Sequence, residues 1–238
     1  MSATNCQKRG ADMTDLTLFH PAAVHVATFD ALAPEADLTH VVRTDWLERA
    51  QTGVDAALRQ EIAEAIRAAE GPSLCTCTTI GAVAEEAGAT RIDWPMMQQA
   101  AGAGGPVMLV YCLDSTRLPS TALLERAFAT QGRAPDIRTL PLTGLWHHFT
   151  NGDTEEFHKQ VATWVSTSLT LTPGTACVVL AQASMAGAAA LIDSDVPVLT
   201  SPETAMAALP GQGSARISLA DPMPTKVFLP ATYVDVPK

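Results

Sequence analysis

The sequence predicts an α/β protein of two similar lobes, each a parallel sheet with helices on both faces. Three observations carry this. Short apolar runs alternate with helical patterns, as parallel sheets with right-handed crossovers require. The pattern restarts near residue 106, which divides the 238 residues into two lobes of roughly 100 residues each. Apolar residues make up 47% but aromatics only 5%, which favours small-residue helices packed on a Val/Leu sheet.

The first lobe, 14–105, opens with a strand at 16–19, and Pro21-Ala22-Ala23 starts a helix through Leu32. A strand at 38–42 and an amphipathic helix at 53–69 follow, the helix ended by Gly71-Pro72. A third strand at 73–77 leads to a helix over 81–87. A short strand at 90–93 and a helix near 95–102 close the lobe.

The second lobe, 106–200, opens with PVMLVYCL at 106–113, the clearest strand in the chain. The segment DSTRLPS reads as a loop into a helix at 120–131. A strand at 137–142, a helix at 153–170, a strand at 177–181 with a Met/Ala/Gly helix, and a strand at 196–199 complete it. A helix at 202–208 and a Pro-rich tail (Pro222, Pro224, Pro230, Pro237) form 201–238, expected to pack back on the first lobe, with 226–228 a candidate edge strand. Residues 1–13 read as a disordered leader.

Composition narrows the function. The net charge is −10 and no Lys/Arg cluster exists, which argues against nucleic acid. No apolar run approaches the roughly 20 residues of a membrane span. The polar start lacks the apolar core of a signal peptide. Five scattered cysteines (Cys6, Cys75, Cys77, Cys112, Cys177) read as reduced thiols, so a cytoplasmic protein is expected.

The halves also resemble each other: SLCTCTTIGAVAEEA and VVLAQASMAGAAALI both run strand, small polar turn, Ala-rich helix. Ligands of open α/β sheets bind beyond the carboxyl ends of strands, where both turns fall. Cys77 stands at the first turn. A helix N-terminus there is expected to lower its thiol pKa from about 8.5. The N–H groups, with the hydroxyls of Thr78 and Thr79, suit a carboxylate. Cys75, on the strand, reads as a buried hydrophobe, and C-x-C without a second Cys/His pair argues against zinc.

His20, after the first strand, is a candidate acid, base or carboxylate ligand. Thr116 and Ser120 hold the equivalent place in the second half as carboxylate donors or capping residues. Arg117 reads as a solvated loop cation, His147 and His148 as surface or lobe-contact residues, and Glu203 as first-turn helix charge. No Gly-rich loop follows the first strand, so a nucleotide site is not expected.

TCTTIGAVAEEA resembles the first catalytic-cysteine segment of the aspartate/glutamate racemase superfamily. FHPAA, DSTRLPS, LAQASMA and LTSPETA match further segments in order, over about 15–208. The resemblance implies two α/β lobes, an interlobe site, no cofactor and two cysteines acting on opposite faces of an α-carbon. Cys77 matches the first cysteine. The second position falls on Gln182, with Ser184 close by, and Gln cannot act as a base. Cys112 is a candidate substitute on geometry; Cys177 lies too far upstream in its strand.

The expectation is therefore a cofactor-independent racemase, isomerase or decarboxylase-like lyase acting on a small carboxylic acid, with Cys77 as acid/base or nucleophile. Gln182 and Ser184 would bind substrate or stabilise an enolate oxyanion. The alternative is a non-catalytic or regulatory carboxylate binder that kept the cleft. A homodimer is plausible for such a family, though no residue marks an interface.

Overall fold

The computed structural model describes residues 16–208. The first sheet comprises β1 (Leu16–His20), β2 (Leu38–Val42), β3 (Ser73–Cys75) and β4 (Thr90–Arg91); the second comprises β5 (Val107–Tyr111), β6 (Ile137–Pro141), β7 (Cys177–Leu180) and β8 (Val198–Thr200). All pairings are parallel, in the orders β2-β1-β3-β4 and β6-β5-β7-β8. The predicted fold class is what forms.

The two sheets repeat each other down to their registers. Phe19 lies opposite Cys75 as Val110 lies opposite Leu180. The bonds just beyond also coincide: Thr76 N–H donates to Phe19 O (3.0 Å) as Ala181 N–H donates to Val110 O (2.9 Å). Counting two residues on from Cys75 and from Leu180 reaches Cys77 and Gln182, so the repeat puts those two in equivalent places.

β1, β5 and β7 are buried along their whole length, as central strands covered on both faces must be. On one face of the first sheet, Phe19, Cys75 and Cys77 meet Trp46 of α2 (Thr44–Ala50), Leu58, Ile62 and Ile66 of α3 (Ala56–Ala68), and Val83 of α4 (Gly81–Glu86). On the other, Leu16, Leu18 and Leu74 meet Phe29 of α1 (Val24–Leu32) and Ala205 and Met206 of α9 (Ser201–Ala207). The second sheet is covered by α5 (Trp94–Gly102) and α6 (Asp114–Thr130) on one face. Its other face carries α8 (Thr154–Leu171) and a 3-10 helix, Ala183–Leu191. The helix that closes each half thus packs on the sheet of the other: α5 on the second, α9 on the first.

Several boundaries differ from expectation for local reasons. The third strand stops at Cys75, which leaves Cys77 in the turn. α3 starts at Ala56 because the Asp55 carboxylate caps it, accepting from Leu58 N–H at 2.7 Å. DSTRLPS is helical from Asp114, with Pro119 inside α6. Burial of Thr116, Ser120, Leu123, Leu124 and Ala127 along one stripe outweighs the proline's cost. Two short helices, α2 and α7 (Trp146–Thr150), were not expected, and the Met/Ala/Gly segment winds as a 3-10 helix. The tail and its candidate strand at 226–228, like the leader and Cys6, lie outside the described residues.

Candidate active site

The turns after β3 and β7 meet across the lobe boundary. Thr78 Oγ1 donates to Ala181 O at 2.9 Å, a buried bond joining the lobes, and Thr79 Oγ1 lies 3.3 Å from Ser115 Oγ. Between the turns is a cavity of about 30 Å³. Thr76, Cys77, Thr78 and Thr79 line it from the first lobe, and Thr116, Gln182, Ala183 and Ser184 from the second. Pro21, Leu47, Leu113 and Trp146 complete the walls. Among the described lining residues none is Lys or Arg, so hydroxyls, backbone N–H groups and an amide are the anion ligands on offer.

Cys77 is 5% exposed, and burial pushes its thiol up to about 11. The N–H groups of Ile80 and Thr79 bond the sulfur and pull the other way, as the helix entry predicts. They do not win. α4 has only six residues, and desolvation of a thiolate here outweighs two hydrogen bonds. The expected lowering of the pKa is corrected: at neutral pH Cys77 is a thiol that holds its proton.

Gln182 faces this thiol from the equivalent turn. Its Oε1 accepts from Cys112 N–H at 2.6 Å, which fixes the carboxamide, and among the described residues its Nε2 makes no hydrogen bond. Cys112 contributes that N–H and not its sulfur. Its side chain lies in the apolar cluster with Val110, Leu142 and Phe157, and burial raises its pKa to about 12. It does not line the cavity, so it is no substitute base. Cys177 and Cys75 are likewise core thiols with raised pKa values; Cys75 Sγ donates to Cys77 O at 3.6 Å.

Of the other predicted residues, Thr116 and Ser184 line the cavity, and Ser184 Oγ is buried with no partner among the described residues. Thr78 spends its proton on Ala181 O and is left as an acceptor. Ser120, one turn beyond Thr116, is fully buried and outside the cavity lining, its Oγ unpaired among the described residues, which corrects its placement as a substrate ligand. Arg117 is exposed, as expected. Glu203 accepts from Thr200 Oγ1 at 3.0 Å, His147 Nδ1 donates to Gly144 O at 2.7 Å, and His148 lies 3.8 Å from Asp153.

His20 also needs correcting. Side chains alternate along a strand, so His20 falls on the Leu16 and Leu18 side, against Phe29 of α1, and not beside Cys77. Both ring nitrogens are engaged: Nδ1 with Thr76 Oγ1 (2.9 Å) and Nε2 with His40 Nδ1 (2.8 Å). His40 Nε2 in turn donates to Asp30 Oδ1 at 3.0 Å. Thr76 Oγ1 also donates to Phe19 O at 3.1 Å, so the row Asp30–His40–His20–Thr76 ends on the backbone of β1. Burial first, then the neighbouring His25 and His40, lower the His20 pKa to about 3. His20 therefore orients Thr76, a cavity residue, from behind.

A buried pair supports the Cys77 turn. Arg91 Nε and Nη2 donate to the two Asp93 oxygens, each at 2.9 Å, with side chains 4% and 1% exposed. The guanidinium lies against Gly81, where an added Cβ would come within 2.9 Å of Arg91 Nε. Sequence reasoning missed this pair, and it missed Trp146, Leu47 and Ser115 at the site. Leu47 and Trp146 sit on helices of seven and five residues, too short to show a period. Ser115 was hidden by reading DSTRLPS as a loop. Among the described residues no group of His, Cys, Asp and Glu is arranged to hold a metal, and no helix is long and apolar enough to cross a membrane.

No protein-family model matches this sequence, and neither does any curated protein. Its architecture, however, is shared: this is the two-lobe α/β fold of amino-acid and related racemases. A glutamate racemase isoform from Bacillus anthracis is similar with a TM-score of 0.58 at 13% identity, over 81% of this chain and 79% of that one. An aspartate racemase from Picrophilus torridus gives 0.55 at 14%, over 82% and 91%. An allantoin racemase from Klebsiella pneumoniae gives 0.53 at 15%, over 81% and 84%. The two-lobe α/β fold that the resemblance of TCTTIGAVAEEA implied is the fold observed.

Proposed function

We propose that this chain is a cofactor-independent enzyme of the racemase type that acts on a small carboxylic acid through one thiol, that of Cys77. The observation that carries the reading is the pairing of a proton-bearing Cys77 with Gln182 across the interlobe cavity. Thr79, Thr116 and Ser184 hydroxyls, with the Gln182 Nε2 group, are the donors for a carboxylate or an enediolate oxygen. With no second base opposite, the thiol acts as a general acid on one face of the α-carbon. The enediolate is formed by loss of CO2, the C–C bonding electrons staying on the substrate, or by transfer of the α-proton to the thiolate form of Cys77, which then holds it as the thiol. Its electron pair takes the thiol proton to form the new C–H bond; the S–H electrons remain on sulfur, and the thiolate regains a proton from water. A raised pKa suits that role, since the acid must hold its proton until the carbanion forms.

The reading is tested by incubating the protein with a panel of 2-substituted mono- and dicarboxylates in deuterium oxide and following the α-carbon by proton NMR. Deuterium incorporation or CO2 release that vanishes in Cys77→Ser supports it; a protein inert across the panel sinks it. The second reading, a non-catalytic carboxylate binder, is favoured by the Gln182 oxygen being tied to Cys112 N–H, which leaves an amide fit for binding and not for proton removal. It predicts binding with no exchange.

A further inference from the structure

A second, larger cleft adjoins the Cys77 cavity. It measures about 400 Å³ and runs between α1 and the α8 face, walled by Val24 and Leu32 on one side and by Phe149 and Ala190 on the other. The two spaces share Ala183 and Ser184. His158 braces that shared turn, its Nε2 donating to Ser184 O at 2.9 Å. The serine's own hydroxyl is buried, with the residue 8% exposed, and has no partner among the described residues.

Size divides the roles of the two spaces. About 30 Å³ is room for a group of a few atoms and not for a whole substituted acid. About 400 Å³ lies within the usual range for small-molecule sites. A carboxylate and its α-carbon can sit at Cys77 only if the rest of the molecule goes elsewhere, and the shared Ala183-Ser184 wall marks where.

Charge decides what the rest is. Among the described residues the cleft has no Lys or Arg, and its one carboxylate is Glu203. A second carboxylate there would meet Glu203 with no Lys or Arg to offset it: of the two histidines in the wall, burial lowers His25 to about 4, and His158 Nε2 is spent on Ser184 O. Thr28, Thr154, Ser184 and the two histidines add polar atoms, but most of the wall is four alanines, Val24, Leu32, Phe149 and Pro202, which favours an apolar group.

We propose that this cleft binds the α-substituent of the substrate and selects a bulky apolar one, an aryl or branched alkyl group, over the short acidic chains of aspartate or succinate. The inference rests on the reading of the Cys77 cavity as a carboxylate site. Ser184 lies at the junction, where its free hydroxyl meets the carboxyl end, and Phe149 packs against the substituent.

Isothermal titration with phenylacetate, succinate and acetate at one ionic strength tests it. Phenylacetate is expected to bind at least tenfold more tightly than succinate. Ala190→Trp, which fills the cleft from an exposed position, should erase that advantage and leave acetate unchanged. Val24→Asp, on the opposite wall and also exposed, should do the same, with the unfolding midpoint of each variant checked. Succinate binding as tightly as phenylacetate, or phenylacetate unaffected by both variants, overturns the cleft assignment while the carboxylate site stands. If none of the three acids binds, the carboxylate reading fails and this one with it.

Discussion

Gln182 stands in the second half of the molecule where Cys77 stands in the first, two residues beyond a central strand in matching register. A duplicated fold that carried thiols at both turns would flank an α-carbon with two bases. In this chain the second place holds an amide, its oxygen anchored on Cys112 N–H. The difference changes chemistry and leaves geometry in place.

Placing a thiol there should therefore change the reaction. Gln182→Cys puts a second sulfur opposite Cys77 and leaves Cys112 N–H without its acceptor, at a cost of about 1–3 kcal/mol. The expected outcome is exchange of the α-proton of a bound acid from both faces, read as loss of optical activity in deuterium oxide. Retention of single-face exchange would show that the turns do not address one α-carbon.

Burial of Cys77 also predicts an alkaline limit. Unfolded, a thiol ionises near about 8.5; folded, Cys77 keeps its proton to about 11. Between those values the unfolded state releases protons that the folded state retains, so stability falls as pH rises, by about 1.4 kcal/mol per pH unit for each such thiol. Cys112 and Cys177 are raised in the same direction. Urea midpoints between pH 8 and 10.5 should drop, and Cys77→Ala should make the drop shallower. Iodoacetamide labelling of Cys77 should likewise rise with pH well beyond 9.

The histidines predict the opposite limb. Burial lowers His25 to about 4 and His20 to about 3, against about 6.5 in the unfolded chain. As pH falls through 6.5 the unfolded state takes up protons that the folded state refuses, so stability is lost progressively down to those lower values. His25→Gln should flatten the urea-midpoint profile between pH 6.5 and 4. An unchanged slope would mean that His25 is charged in the fold.

The sequence made the sheet architecture legible because central strands such as 107–111 are continuous apolar runs and the helix at 56–68 has a strong period. It singled out Cys77, Thr79 and Thr116 from their places after strands, and Gln182 and Ser184 through the resemblance to the racemase superfamily; all five line the cavity. What it missed depends on facing. His20 was assigned by its place after a strand, but the alternation of side chains turns it to the other side of the sheet. The Cys77 pKa was read from the helix entry alone, and only the folded surroundings supply the burial that reverses it. Trp146 and the larger cleft arise from lobe packing, which leaves no local pattern.

The Arg91–Asp93 pair gives the sharpest structural prediction. Both side chains are nearly inaccessible and bonded through two parallel contacts, so the pair's net stabilisation is small, while removal of one partner leaves a buried charge. Asp93→Asn keeps the shape and removes the countercharge, and it should destabilise the chain by about 3–5 kcal/mol. The guanidinium lies against Gly81 at the start of α4, just after the Thr79 and Ile80 N–H groups that face the Cys77 sulfur. Displacing it should therefore reach the thiol as well. Asp93→Asn is expected to raise the alkylation rate of Cys77 at pH 9 by loosening this turn, whereas Arg59→Ala, which removes an exposed ion pair to Glu86 at the other end of the same helix, should leave both the midpoint and the labelling rate unchanged. Equal behaviour of the two variants would show that the buried pair does not hold the turn.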